Sequence, residues 1–216
     1  SLAGVLQGRT TVAIAHRLHT AHDADRIAVV EGGRITELGT HHAHNVVARD
    51  LVIHGCPKQG LLGADDDSGT LLLEYSEIYD CGGGTFDHCI YMATDEVTYP
   101  GSVFRMQHNY VHDANGGISF RIDGASDMTI AQCVSQAGGT GFLVAGGNSK
   151  LTACKAFYTQ GPGFRFQSGR CTVTGCESQD AQGGCGFELI GIGDVSLSGC
   201  TAAATGPARP RAKAWP

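Results

Sequence analysis

The 216 residues are short of charge, of basic clusters and of long apolar runs, and each shortage removes a class of function. Charged residues make up 17% of the chain and the formal net charge is −6. Outside the terminal RPRAK there is no basic stripe to neutralise a nucleic-acid backbone, so no nucleic-acid partner is expected. No run of 18 apolar residues occurs, which excludes a helical membrane span. Nine cysteines are present without a CxxC pair, which speaks against a zinc knuckle. There is no GxxxxGK[ST], because none of the four lysines, Lys58, Lys150, Lys155 and Lys213, follows the required glycine. The chain opens SLAGVLQGR, with neither Met nor a signal-peptide layout, and is read as a fragment or a processed segment.

Glycine is plentiful, at 32 residues, and a hydrophobic content of 42% suffices for a sizeable core. From Gly117 to Pro207 the chain repeats itself in four rows of 24, 22, 23 and 22 residues. A period in the low twenties marks a solenoid. Ile118, Phe142, Phe164 and Phe187 fall in one column, and Phe120, Val144, Phe166 and Leu189 in a second. Ser119, Leu143, Arg165 and Glu188 stand between them, an alternation of period two with the apolar set facing inward. A further segment of each row ends at Cys133, Cys154, Cys176 or Cys200, preceded at three residues by Ile130, Leu151, Val173 or Leu197. No 3.6-residue pattern accompanies these rows, so helical solenoids are excluded. Two or three short strands per turn, stacked at roughly 4.8 Å, describe a mainly β chain with the architecture of a parallel β-helix.

The cysteine column suits small polarizable side chains stacked in a β-helix interior, and buried free thiols are expected there. Disulfides among Cys56, Cys81, Cys89, Cys171 and Cys185 are the alternative use of sulfur. Carried backwards, the cysteine column continues through Asn109, Ser76 and Asp50, giving seven turns with steps of 26, 33, 24, 21, 22 and 24 residues. The extra residues fall in GADDDSG and CGGGTFDHCIYMATDEVTYPG, and solenoid insertions emerge as flanking loops where sites are built. The expected domains are a small N-terminal α/β segment over 1–42, the β-helix over 43–207 and a disordered tail over 208–216.

The seven-turn pattern resembles the right-handed parallel β-helix superfamily, which includes pectate-lyase-like and polygalacturonase-like enzymes. That resemblance implies carboxylates on neighbouring turns, serving as acid and base in a glycoside hydrolase or as Ca2+ ligands in a polysaccharide lyase. Four residues past the anchor column stand His54, Asp80 and Asp113, with Tyr79 and His112 one position earlier. Stacked turns place Asp80 and Asp113 side by side, and two close carboxylates push one pKa upward, as an acid/base pair or cation site requires. Asp80, Asp113, His112 and Arg121 are the candidate catalytic residues, and Tyr79, His88, Tyr91 and His54 the candidate substrate contacts, with Asp95 and His108 nearby. The plainer reading is that Asp at a strand end makes local turn hydrogen bonds. His108 and His112 are spaced as HxxxH, but on a strand such a pair is about 13 Å apart. His41, His42 and His44 at the junction and Asp65–Asp67 in a Gly-flanked loop are weaker cation candidates, the second for Ca2+. Arg165 and Glu188 fall in one column as a cross-turn ion pair.

The first forty residues differ. GRTTVAIAHRLHTAHDADRIAVVEGGRITELGTH contains an apolar strand, Thr11–Ala15, and a hairpin, RIAVVEGGRITELG, hinged on Gly32–Gly33. Through AIAHRL, DADRI and GGRITELGTH, residues 8–41 resemble the C-terminal end of an ABC-transporter nucleotide-binding domain. The resemblance gives His16 the role of the histidine that reaches the ATP γ-phosphate. Walker A, Walker B and the signature motif are absent, so His16 has no phosphate cradle and the chain is not expected to hydrolyse ATP alone. The segment is expected to retain β structure as a cap on the solenoid end.

The leading expectation is a β-helix module that binds or cleaves a polysaccharide beside its early turns, as a monomer. A structural or interaction solenoid without an active site is the alternative, and an incomplete ABC ATP-binding subunit the second. The two resemblances imply different compartments, extracytoplasmic for the β-helix and cytoplasmic for the ABC-like text.

Overall fold

The computed structural model describes residues 27–31, 34–39, 45–64, 70–84, 86–93, 101, 103–115, 117–124, 127–167, 169–191 and 193–204. The chain divides into two compact units, Ser1–Ala43 and His44–Pro216. In the first, Ile27–Glu31 pairs antiparallel with Arg34–Gly39, which is the hairpin expected of RIAVVEGGRITELG. The strand Thr11–Ala15, His16, the histidines at 41–44, Asp65–Asp67, Asp95 and the tail 208–216 lie outside the described residues.

The second unit is a solenoid of three parallel sheets. Sheet 1 has seven strands, from Asn45–Arg49 to Val195–Ser198. Sheet 2 has seven three-residue strands, from Val52–His54 to Thr201–Ala203, and sheet 3 has six, from Leu61–Ala64 to Phe187–Ile190. The chain thus makes six complete coils and two strands of a seventh.

Alternation decides what each strand buries. In sheet 1, Leu73, Met106, Ile130, Leu151 and Val173 form one inward column and are all but inaccessible. Leu197 continues that column in the last coil, where it is exposed. In sheet 3 the rings of Phe120, Phe142, Phe164 and Phe187 stack at 4.5, 4.9 and 4.9 Å, within 9° of parallel. The coil spacing imposes this face-to-face geometry on equivalent side chains. Every cysteine is a free thiol, with Cys133, Cys154 and Cys176 buried in one column and Cys200 half-buried at its end. Burial pushes the thiol pKa of Cys133 up to about 12, so it is protonated at neutral pH. The disulfides considered for the other five are therefore absent.

The corners after sheets 1 and 2 use left-handed backbone, and those after the later sheet 3 strands do so through Gly124, Gly146, Gly147, Gly169 and Gly191. Asp50, Tyr75, His108, Gln132, Ala153, Gly175 and Gly199 follow the sheet 1 strands with φ between 48° and 62°. Gly55, Asp80, Asp113, Ala137, Tyr158 and Asp180 follow the sheet 2 strands with φ between 51° and 64°. Such a residue ends one strand and re-aims the chain into the next, at a cost for anything bearing a Cβ.

Two registers differ from the sequence expectation. Phe142 pairs with Phe120, not Ile118, and Val144 with Ile122. A slip of two residues preserves the alternation, and only ring stacking separates the registers. Its result is that Arg121, not Ser119, shares the outward column of Leu143, Arg165 and Glu188. In the first coil Ala48 pairs with Leu73 and Val52 with Glu77, so the anchor equivalent to Ser76 is Leu51, not Asp50. Val46, Val47 and Ala48 are all apolar, and without a cysteine anchor nothing in the text separates the two frames. The Arg165–Glu188 pair is present.

Candidate functional site

The expected site residues form two groups on different sheets, with the aspartates at the corner between them. The first group is on the outer face of sheet 2. Correcting the register moves His54 out of the Asp80 column and into that of Tyr79 and His112. The three rings then stack, His54 on Tyr79 at 4.9 Å and Tyr79 on His112 at 4.8 Å, within 10° of parallel. His112 is largely buried, with Nδ1 at 2.8 Å from Asp113 Oδ2 and Nε2 at 3.2 Å from Glu77 Oε1. Tyr110 also stacks on His112 at 4.5 Å and donates its hydroxyl to Gln136 Oε1 at 2.9 Å.

Asp80 and Asp113 occupy equivalent corner positions on adjacent coils, each one residue past a paired strand, at φ 51°. Their carboxylates have different partners, Asn115 Nδ2 for Asp80 and His112 for Asp113.

Beside this face, the left-handed corner between sheets 1 and 2 opens a cleft of about 440 Å³. Asp50, Leu51, Tyr75, Glu77, His108, Asn109 and Tyr110 line it. Tyr75, 54% exposed, stacks on His108 at 4.8 Å and 4°. Next to the corner, Glu74 is buried and accepts from Arg49 Nε at 2.8 Å and from Gln107 Nε2. Those hydrogen bonds hold its carboxyl below the usual range. Glu74, Glu77, Tyr75 and Tyr110 were not singled out from sequence, although the column rule applied to the first residue of each sheet 2 strand places Glu77 beside Tyr110. His108 and His112 lie at a corner and on a strand, and each stacks on a tyrosine instead of sharing an ion.

The second group is on the outer face of sheet 3. Tyr91 pairs with Arg121, whose guanidinium lies 4.8 Å from the Tyr91 ring centroid and donates through Nε to Asp123 Oδ2 at 2.9 Å. His88 meets Tyr91 edge-on at 5.5 Å, and its Nε2 is 3.2 Å from Arg121 Nη1. Among the described residues no three His, Cys, Asp or Glu side chains are grouped to hold a metal ion. No helix among the described residues is long and apolar enough to cross a membrane.

Three-strand coils carrying stacked inward ladders define a parallel β-helix. The family model described as "Right handed beta helix region" matches residues 68–206, and the chain belongs to that family. A separate, shorter likeness is to ABC transporters. The ATP-dependent lipid A-core flippase of Psychrobacter arcticus is 52% identical over 59 residues, covering 24% of this chain and 10% of that protein. ABC transporter B family member 2 of Dictyostelium discoideum is 54% identical over 55 residues, covering 24% and 4%. The ABC multidrug transporter MDR2 of Trichophyton tonsurans is 41% identical over 78 residues, covering 36% and 6%. The chain spans no more than a tenth of the length of these three relatives. These partial matches agree with the ABC-like text of residues 8–41. No solved structure matches the chain.

Proposed function

We propose that the β-helix binds a polysaccharide along the early coils, in the cleft between sheets 1 and 2 and across the ring ladder beside it. The observation that carries this reading is the row His54, Tyr79 and His112, at 4.9 and 4.8 Å, beside a cleft of about 440 Å³ rimmed by Tyr75. The stacked rings cover one another's faces and present their hydroxyl and imidazole edges to a sugar's polar groups, while the half-exposed Tyr75 ring at the rim supplies apolar area. If the chain also cleaves the glycan, Asp80, Asp113 and His112 supply the acid and base groups, with Glu77 in contact with His112.

The test is a panel of soluble glycans examined by calorimetry and by product analysis, with Tyr75→Ala, Tyr79→Ala and the Asp80→Asn/Asp113→Asn pair. Loss of binding in the tyrosine variants supports the cleft. Binding that survives both of them overturns it, and cleavage unaffected by the aspartate pair removes their catalytic role.

A second reading, a structural solenoid without an active site, is favoured by the corner column itself. Asp80 and Asp113 stand where Ala137, Tyr158 and Asp180 stand in later coils, at φ 53°, 55° and 56°. A panel with no binder supports that reading. The third, an ABC ATP-binding fragment, predicts micromolar ATP affinity by calorimetry.

A further inference from the structure

Two sulfurs of the early coils stand one above the other, just past the corner after sheet 2. Cys56 and Cys81 each follow a paired strand by two residues, across the left-handed Gly55 and Asp80. The Gly82 N–H donates to the Cys56 carbonyl at 3.0 Å, which carries the parallel pairing past the corner and sets the two cysteines in register. Equivalent Cα atoms on neighbouring coils are about 4.8 Å apart, within the roughly 4.4–6.8 Å that a disulfide spans. Both thiols turn the same way, Cys56 Sγ donating to the His54 carbonyl at 3.8 Å and Cys81 Sγ to that of Tyr79 at 3.2 Å. The two side chains are also hydrogen-bonded to each other. A Cβ on Gly60 would stand 2.9 Å from Cys81 Sγ, so that glycine leaves the sulfur its room. In the next coil the column passes to Ala114, and no third sulfur follows in it. Cys56 is half-buried while Cys81 is inaccessible, so a reagent from solution reaches Cys56. Cys89 is shut inside as well, and burial pushes its thiol up to about 12.

We propose that Cys56 is a modification site for low-molecular-weight disulfides, and that Cys81 resolves the adduct into a Cys56–Cys81 disulfide tying the first coil to the second. The Cys56 thiolate attacks one sulfur of the reagent, forming a mixed disulfide and expelling one thiolate. The Cys81 thiolate then attacks Cys56 Sγ and expels the second. Two protein thiols are oxidised to one disulfide, and the reagent is reduced to two thiols, which take up the two protons released. The bond closes around the corner that carries Tyr79, and with it the first coil is fastened at a second point besides its backbone ladder. Neither the cleft nor the glycan reading is needed, since the chemistry belongs to the two sulfurs alone.

The test uses the full chain with Cys185→Ser, which removes the exposed thiol, treated with bis(2-hydroxyethyl) disulfide, quenched by alkylation and mapped by peptide mass spectrometry. The expected result is a Cys56–Cys81 linkage with no adduct retained on Cys56. The urea midpoint should rise on oxidation and return on treatment with dithiothreitol. Cys89→Ser should leave the linkage in place, which separates the two sulfurs that share a tryptic peptide. Cys81→Ser should trap the reagent as a stable adduct on Cys56. Should that buried substitution fail to fold, Cys56→Ser at the half-buried position serves instead, and should abolish the rise in urea midpoint. An unmodified Cys56, an adduct that persists on Cys56 while Cys81 is present, a link from Cys56 to Cys89, or a midpoint rise that survives Cys56→Ser overturns the proposal.

Discussion

The coils before Asn115 and those after Gly117 have the same walls and different outsides. Inside, Leu73 and Met106 of the early coils continue into Ile130, Leu151 and Val173 of the later ones without a break in register. Outside, the early coils carry His54, Tyr79, His112, Tyr75 and His108 in stacks, whereas the positions after His112 in its column are Gln136, Phe157, Gln179 and Ala203. A solenoid needs its inward columns to agree from coil to coil but leaves outward ones free. Function is therefore to be sought where the outward columns stop being plain.

The comparison can be broken first at the wall. Phe142→Ala removes a fully buried ring with stacked neighbours on both sides and should cost about 3–5 kcal/mol, read as a lower urea midpoint. If such a substitution in one coil left its neighbours' melting unchanged, the walls would not be continuous. Next is Gly117→Ala, at the seam between the regions. A Cβ there would sit 1.7 Å from the Asp87 carbonyl oxygen, so the backbone must shift, at about 1–3 kcal/mol. Because Ile118 donates to His88, the His88 resonances should move as well.

The corners allow a finer comparison. Ala153 holds φ 52° in a column that becomes Gly175 and Gly199 in the next coils, and Ala153→Gly should raise stability by up to about 1 kcal/mol. Asp80→Gly relieves the same backbone conformation but loses the bond from Asn115, so its gain should be smaller or reversed. Equal gains in chemical denaturation would make Asp80 a turn residue and nothing more.

The smallest effect is one of pH. His88 has a depressed pKa when folded, so it contributes stability that is complete above its unfolded pKa of about 6.5. As pH falls below that value the unfolded chain binds the proton more readily, and stability declines toward the lower folded pKa. Glu74, also depressed, adds a loss at more acidic pH, below the unfolded carboxylate value. His88→Gln should flatten the melting-temperature profile between pH 7 and the folded pKa and leave the acid limb in place.

Much of the wall was legible because inward positions are constrained by every neighbour at once. The cysteine column and its partners three residues earlier stand in the structure as the text places them. The errors fell where alternation alone cannot choose. Ile118, Phe120 and Ile122 share one parity, so a two-residue slip looks the same on paper, and Arg121 was separated from its column. His54 was displaced by one residue for want of an anchor in the first coil. The contacts Glu77–His112 and Ile118–His88 cross between coils at positions where no residue type repeats, and only coordinates bring them together.

The thiol column also provides a clock. Cys185 is the exposed cysteine among nine, while Cys133, Cys154 and Cys176 are shut inside successive coils. A thiol-reactive dye should modify Cys185 at once and each inner sulfur only when its own coil opens, so the order of labelling would report the sequence in which the stack unzips.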